Sequence, residues 1–140
     1  LSMETNHASI QFLKFFVKES YISFNEIGEY KIKIDFDANA TVKQSVNKYH
    51  LIIETIISEA EGKLNIRVVS ESIFDYDNEI SIEELKAGLF TKNAPAIVFP
   101  YIRAYIASLT AISGVPTLNL PTLNLTKLGE QVLDKMTIEE

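Results

Sequence analysis

The sequence predicts one α+β domain, a sheet followed by helices. Three observations carry that reading. The first half alternates apolar and polar side chains, the period of strands. The second half holds a helical run, "NAPAIVFPYIRAYIASLTAISG", in which Arg103 is the only formal charge between Pro100 and Gly114. A proline-broken, leucine-rich connection, "VPTLNLPTLNL" at 115–125, then leads into a short amphipathic segment.

The bulk numbers bound the answer. A chain of 140 residues is one domain by length and buries enough surface for a real core. Hydrophobic residues at 46% and charged residues at 23% are ordinary for a globular protein. The formal charge of -6 argues against nucleic acid or an anionic membrane as the main partner. The absence of cysteine excludes a disulfide scaffold and thiolate metal sites and permits a reducing compartment. The start, Leu-Ser-Met-Glu-Thr-Asn-His, lacks the pattern of a signal peptide, so a cytoplasmic location is expected. Residues 1–8 are read as disordered, Leu1 and Ser2 ahead of Met3 being a tag remnant, and 137–140 as a mobile acidic tail.

Element by element, residues 9–24 are rich in aromatic and β-branched side chains, as strands are. Both parities are apolar there, Ile10, Phe12 and Phe16 on one and Leu13, Phe15 and Val17 on the other. A strand apolar on both faces is expected to be covered on both. Residues 30–38 alternate cleanly, Tyr30, Ile32, Ile34 and Phe36 against Lys31, Lys33, Asp35 and Asp37, the mark of a half-buried strand. A third strand covers 48–59, Glu61-Gly62 reads as a hairpin turn, and a fourth strand, 63–77, carries Leu64, Ile66, Val68, Phe74 and Tyr76 on one parity. Four strands with short joins predict a four-stranded antiparallel meander. Ser81-x-x-Glu84 forms a capping box for a short helix through Leu89. Pro100 suits the first turn of the main helix and Gly114 the residue past its end. About 14 residues make roughly 21 Å, too short to cross a bilayer. A helix apolar nearly all round must be covered on two sides, and one sheet covers one. An oligomer follows. Leu128, Val132 and Met136 then mark a last amphipathic helix over 126–136, with Gly129 as its weak point.

Chemistry finds little footing. The chain carries no Gly-rich phosphate loop, no G-x-S-x-G and no H-E-x-x-H, so no enzyme, metal or cofactor is expected. His7 falls in the frayed start, and His50 reads as a hydrogen-bonded structural residue. Asp35 and Asp37 share a solvated strand face. Asp75, Asp77 and Glu79 read as a charged loop, with a docking patch for a basic partner as the functional alternative. The leucines of 115–125 either fill gaps in the core or wall a groove that meets an incoming chain.

Residues 93–128 resemble the C-terminal half of the SecB protein-export chaperones. The match rests on the Phe-Pro-Tyr-x-Arg stretch ending at Arg103, on Gly-x-Pro-x-Leu-Asn-Leu from Gly114 to Leu120, and on the Pro/Leu/Asn turn into a last helix. The strands match in pattern, through "ISF" at 22–24 and "KIDFD" at 33–37. The resemblance implies a four-stranded antiparallel sheet with a long helix, a crossover loop and a C-terminal lid helix, assembled as a homotetrameric dimer of dimers. It implies an ATP-independent holdase that binds unfolded preproteins in apolar grooves for export by the Sec pathway. Its implied client contacts are Phe24, Phe74, Tyr76 and Leu118, then Leu120, Leu125, Leu128 and Val132. Tyr101, Ile102, Tyr105, Ile106 and Leu109 are the implied oligomer contacts. SecB proteins pass clients to the SecA motor through acidic residues on the outer sheet face. Here Arg67 stands at the expected acidic position, and Glu71, Asp75, Asp77 and Glu79 are the remaining docking candidates. Some SecB-like proteins instead protect an antitoxin, and a SecB fold can also serve as a fixed subunit of a larger assembly.

Overall fold

The computed structural model describes residues 10–140. The readings of residues 1–8 and of His7 lie outside them. Four long strands form first: β1 (Ile10–Phe24), β2 (Ile32–Lys43), β3 (Lys48–Glu59) and β4 (Leu64–Tyr76). A helix, α1 (Ile82–Ser113), follows. A crossover over 114–125 leads to α2 (Thr126–Asp134) and a short strand, β5 (Met136–Glu139).

The sheet is mixed, in the order β1-β4-β3-β2-β5. It therefore has five strands rather than four, and it is not a simple meander. β2, β3 and β4 are joined as hairpins, but β1 lies beside β4 at the far edge. The join over 25–31 crosses the end of the sheet and is fastened to the β3–β4 turn. Asn25 donates its N–H to the Lys63 carbonyl (3.2 Å) and Ala60 donates to Lys31 (3.0 Å). Buried Glu59 accepts backbone N–H bonds from Glu61 (2.8 Å), Lys63 (3.1 Å) and Lys31 (3.4 Å). The turn itself is as expected, with Gly62 at φ 81.

β1 owes its double apolar parity to two bulges, not to cover on both faces. The register slips between Phe12 and Lys14 and again between Val17 and Glu19. Each extra residue flips the alternation. Ile10, Phe12, Phe15, Val17 and Ile22 therefore all turn to the same inner side and pack against the core. The inner face is completed by Tyr49, Leu51, Ile53 and Ile57 from β3 and by Leu64, Ile66, Val68 and Phe74 from β4.

α1 covers that face as one continuous helix of 32 residues, roughly 48 Å long at 1.5 Å per residue. It is long and apolar enough to cross a bilayer by length and composition, yet one face lies against the sheet. Ser81 caps its start, its hydroxyl accepting from the Glu84 N–H (3.1 Å). Gly114 ends it at φ 90. The predicted break near Leu89 is absent, and Pro100 sits inside the helix rather than in its first turn. The buried row runs Leu85, Phe90, Ala94, Val98, Ile102, Ile106, Thr110. Every step is four residues except the first, which is five. A π-helical stretch over Leu85–Asn93 absorbs that extra residue.

The wider turn leaves one carbonyl without a helical donor. Ala94 gives its N–H to Leu89 instead of Phe90. The next candidate donor for Phe90 is Pro95, which has no N–H. Tyr49 supplies the bond from across the sheet, its hydroxyl donating to the Phe90 carbonyl at 3.0 Å. The two rings stack at 3.9 Å and 7°. Burial pushes the Tyr49 phenol far above its ordinary range, so it remains a donor. Tyr49→Phe keeps the stacking and removes the bond. It is expected to cost about 1–3 kcal/mol, the desolvation cost of an unpaired carbonyl, measured by urea unfolding.

Candidate functional site: a trough beside the last helix

The crossover is held to α1 by two side chains of that helix. Thr110 is fully buried. Its hydroxyl donates to the Ile106 carbonyl (2.9 Å) and accepts the Leu118 N–H (2.9 Å). Arg103 lies over the Phe99 ring at 5.0 Å and donates to the carbonyls of Leu120 (3.1 Å) and Pro121 (3.3 Å). Its planar fork meets two neighbouring acceptors at once. The one charge in the second half of the helix thus fixes the course of an uncharged loop.

Alternate residues of the crossover then face different surroundings, as extended chain requires. Val115 and Leu120 are buried, while Leu118, Leu123 and Leu125 are half-buried. Asn124 begins the lid, its Oδ1 accepting the Thr126 N–H (2.9 Å). α2 lies between β2 and the π turn of α1. Gly129 is the closest point, where an added Cβ would stand 2.3 Å from the Thr91 carbonyl oxygen. Read as a weak point, Gly129 is instead what lets the two helices meet.

Two cavities flank α2 and share Leu125. One, of about 320 Å³, runs along β2 and is lined by the apolar Ile34, Phe36, Leu123, Leu125 and Leu128 and by the polar Asp35, Asn124, Lys127 and Gln131. The second, of about 430 Å³, lies between α1 and α2 and is lined by Ala87, Thr91, Ala96, Leu125, Gly129 and Leu133, with Lys86, Lys92 and Glu130 at its polar side. Gln131 closes the first along the strand, accepting the Ala38 N–H (3.0 Å) and donating to the Phe36 carbonyl (3.2 Å). No group of three or more His, Asp or Glu side chains placed to hold a metal occurs among the described residues.

The candidate client contacts divide. Leu118 and Leu125 are half-buried on the crossover, and Phe24 is 37% exposed at the end of β1. Phe74, Tyr76, Leu120, Leu128 and Val132 are buried within the chain, and of these only Leu128 lines the trough. Leu123, Ile34 and Phe36 line it without having been singled out. Leu123 carried the same signal as Leu125, a leucine in the crossover. Among the candidate oligomer contacts, Ile102 and Ile106 are spent on the chain's own sheet, Tyr105 and Leu109 are half-buried, and Tyr101 is exposed. Tyr105 donates to Ser20 (2.8 Å), and Tyr101 packs on Phe12 and Phe15 at 5.0 and 5.4 Å. Ile97, Tyr101 and Ile112 leave an exposed apolar stripe along α1, which Tyr101 joins to β1.

The outer sheet face is laced with ion pairs. Arg67 bridges Glu19 (2.8 Å) and Glu54 (2.5 Å). Glu71 takes Lys18 (3.3 Å) and His50 Nδ1 (2.7 Å), so His50 is the structural histidine expected. Asp75 takes Lys48 (2.5 Å). Asp77 accepts the Glu79 N–H in a turn (2.9 Å).

A long helix across one sheet, a tethered crossover and a last helix together define a scaffold that frames a cleft of mixed lining, apolar on the crossover and inner strand side and polar at its rim. The chain belongs to the SecB family, since the model for the preprotein translocase subunit SecB matches residues 3–136. It is 28% identical over 124 residues to an uncharacterized protein of Methanocaldococcus jannaschii, covering 84% of this chain and 80% of the relative. It is 30% identical over 94 residues to the protein-export protein SecB of Anaplasma phagocytophilum, covering 64% of this chain and 59% of that protein. Its fold matches a SecB-like chaperone of Mycobacterium tuberculosis, solved with a ChAD peptide from an antitoxin. That match has a TM-score of 0.67 and 18% identity, and it covers 83% of this chain and 88% of the other.

Two predictions follow from this geometry. Gly129→Ala drives a methyl group into the Thr91 carbonyl and is expected to cost about 1–3 kcal/mol, seen as a lower unfolding midpoint. The second concerns Glu71. Burial pushes its carboxyl up, but the His50 and Lys18 contacts outweigh burial and hold it below the ordinary 4.5. A depressed carboxylate stabilises the fold above its unfolded value, and that contribution is lost as pH falls through the folded value. Glu71→Gln is therefore expected to lower the melting temperature at pH 7, the gap closing as pH drops below 4.5. A gap that stays constant across acid pH excludes the ion pair as its source.

Proposed function

We propose that this chain is an ATP-independent holdase that keeps polypeptides extended along the trough beside β2, with no catalytic step. The observation that carries the reading is the placement of that trough. Leu123, Leu125, Ile34 and Phe36 present apolar surface next to a strand edge. Apolar surface is non-directional and tolerates varied sequences, while the edge supplies sequence-blind backbone bonds. Leu125, on the trough wall, and Leu118, upstream on the same crossover, are the candidate contacts an incoming chain reaches first, whereas Phe24 lies on β1 at the opposite edge of the sheet and Phe74 and Tyr76 lie on β4 under α1. The stripe through Tyr101, with Tyr105 and Leu109 at its margin, buries itself against a second copy, giving a dimer of dimers in the cytoplasm.

Two clients fit such a trough, a preprotein bound for the Sec pathway or a single dedicated partner such as an antitoxin. The outer face favours the second. The residues offered for SecA, Glu71 and Asp75, are already paired with Lys18, His50 and Lys48, and Arg67 adds a positive charge among them. Asp77 and Glu79 remain as the acidic contribution to docking.

The test is refolding of a chemically denatured secretory precursor, followed by fluorescence and light scattering. Delayed folding and suppressed aggregation are expected at stoichiometric amounts of the protein without ATP. Leu125→Glu, which places a charge on the shared wall, is expected to weaken client binding roughly tenfold or more. Calorimetric titration with SecA separates export from a dedicated client. Lack of any effect on refolding, with or without an antitoxin peptide as competitor, points instead to a fixed subunit of a larger assembly.

A further inference from the structure

The segment read as a mobile acidic tail is a strand. Met136–Glu139 pairs in parallel with Ala40–Lys43 on the outer edge of β2. This is the same edge that borders the trough. Just upstream, the Gln131 amide bonds the Phe36 carbonyl and the Ala38 N–H. One donor and one acceptor on a single side chain reproduce what a strand residue offers a neighbouring edge. Lys135 adds an ion pair to Asp37. The chain thus lays its own C-terminal segment along the edge from Phe36 to Lys43. Among the described residues only Ile32–Asp35 is left without a neighbour on that side.

Four residues are a short landing for an extended polypeptide, since strands most often run about five or six. All twelve residues of β2 offer roughly 40 Å of edge at about 3.3 Å per residue, against roughly 13 Å for the open four. The occupying strand is held weakly. Thr137, Ile138 and Glu139 are exposed, and of β5 only Met136 packs against the core. Its pairing is also the parallel one in an otherwise antiparallel sheet.

We infer that β5 is a built-in competitor for the polypeptide site, a strand of this chain that lies on the β2 edge when the trough is empty and is displaced when an extended client loads. The inference rests on the holdase reading. Binding then carries the conformational tax of a site that is only partly available. The class of ligand is an extended segment that pairs by backbone along β2 and seats its apolar side chains toward Ile34, Phe36 and the crossover leucines.

The chain has no cysteine, so one engineered pair gives a clean lock. Thr41 and Thr137 are register partners. Neighbouring strands lie about 4.8 Å apart, within the Cα separation a disulfide accepts. The probe is a reduced, alkylated, fluorescently labelled polypeptide that cannot fold, with binding followed by anisotropy. Three proteins are compared: the unaltered chain, Thr41→Cys/Thr137→Cys oxidised and reduced, and a chain ending at Lys135. The expected result is tenfold weaker binding when oxidised, recovery on reduction, and several-fold tighter binding without β5. Hydrogen exchange at 136–139 is expected to speed up on loading in the unaltered chain. Equal affinities in all forms, or tighter binding in the locked form, overturn the competitor role and leave the holdase reading standing. No binding by any form, the shortened chain included, overturns both.

Discussion

The hydrogen bond from Tyr49 to the Phe90 carbonyl is the contact on which the site depends. It reconciles two demands that conflict within α1. Leu85 and Phe90 must both face the sheet, which takes a five-residue step and a π turn. Pro95 follows that turn and removes the donor the turn would have used. A phenol from β3 makes the geometry affordable in a dry interior, where an unpaired carbonyl is costly. The same turn presents the Thr91 carbonyl outward, and Gly129 settles against it. The lid is therefore placed by a sheet residue acting through a helix irregularity.

Burial and exposure divide along chemical lines around the trough. The deep positions carry the large apolar side chains that hold sheet and helix together. The half-exposed ones sit on the crossover, where backbone runs extended and alternate leucines cannot all point inward. On the holdase reading, this division gives stability and recognition to different residues of one leucine-rich stretch. Leu120 is 4% exposed and belongs to the core, while Leu123 and Leu125, a few residues on, line the cavities.

The strand periods, the capping box at Ser81, the turn at Gly62 and the stop at Gly114 were all legible, because each is encoded by residues next to one another. The order of strands was not. β1 pairs with β4 rather than β2, and nothing local announces a partner some fifty residues away. The double apolar parity of β1 was visible but pointed to cover on two faces, since a bulge leaves the same trace as a second buried side. Pro100, which suits a first turn, made α1 look like two helices. The rescuing hydroxyl comes from Tyr49, more than forty residues upstream, where no helix-based rule looks. Met136 reads as the end of the last helix and 137–140 as an acidic tail, but the helix stops at Asp134 and Met136–Glu139 is a strand because β2 offers an edge there.

The tethers of the crossover are distributed unevenly. Thr110 and Arg103 fasten its first half, at Leu118, Leu120 and Pro121, to a helix that spans the whole domain. Its second half, with Leu123 and Leu125, runs directly into α2. The first half is thus held by polar bonds to α1 and the second by burial, since Leu128 and Val132 of α2 belong to the core itself. Any displacement of α2 would therefore uncover core as well as widen the cleft, which ties the span of the cleft to the stability of the domain.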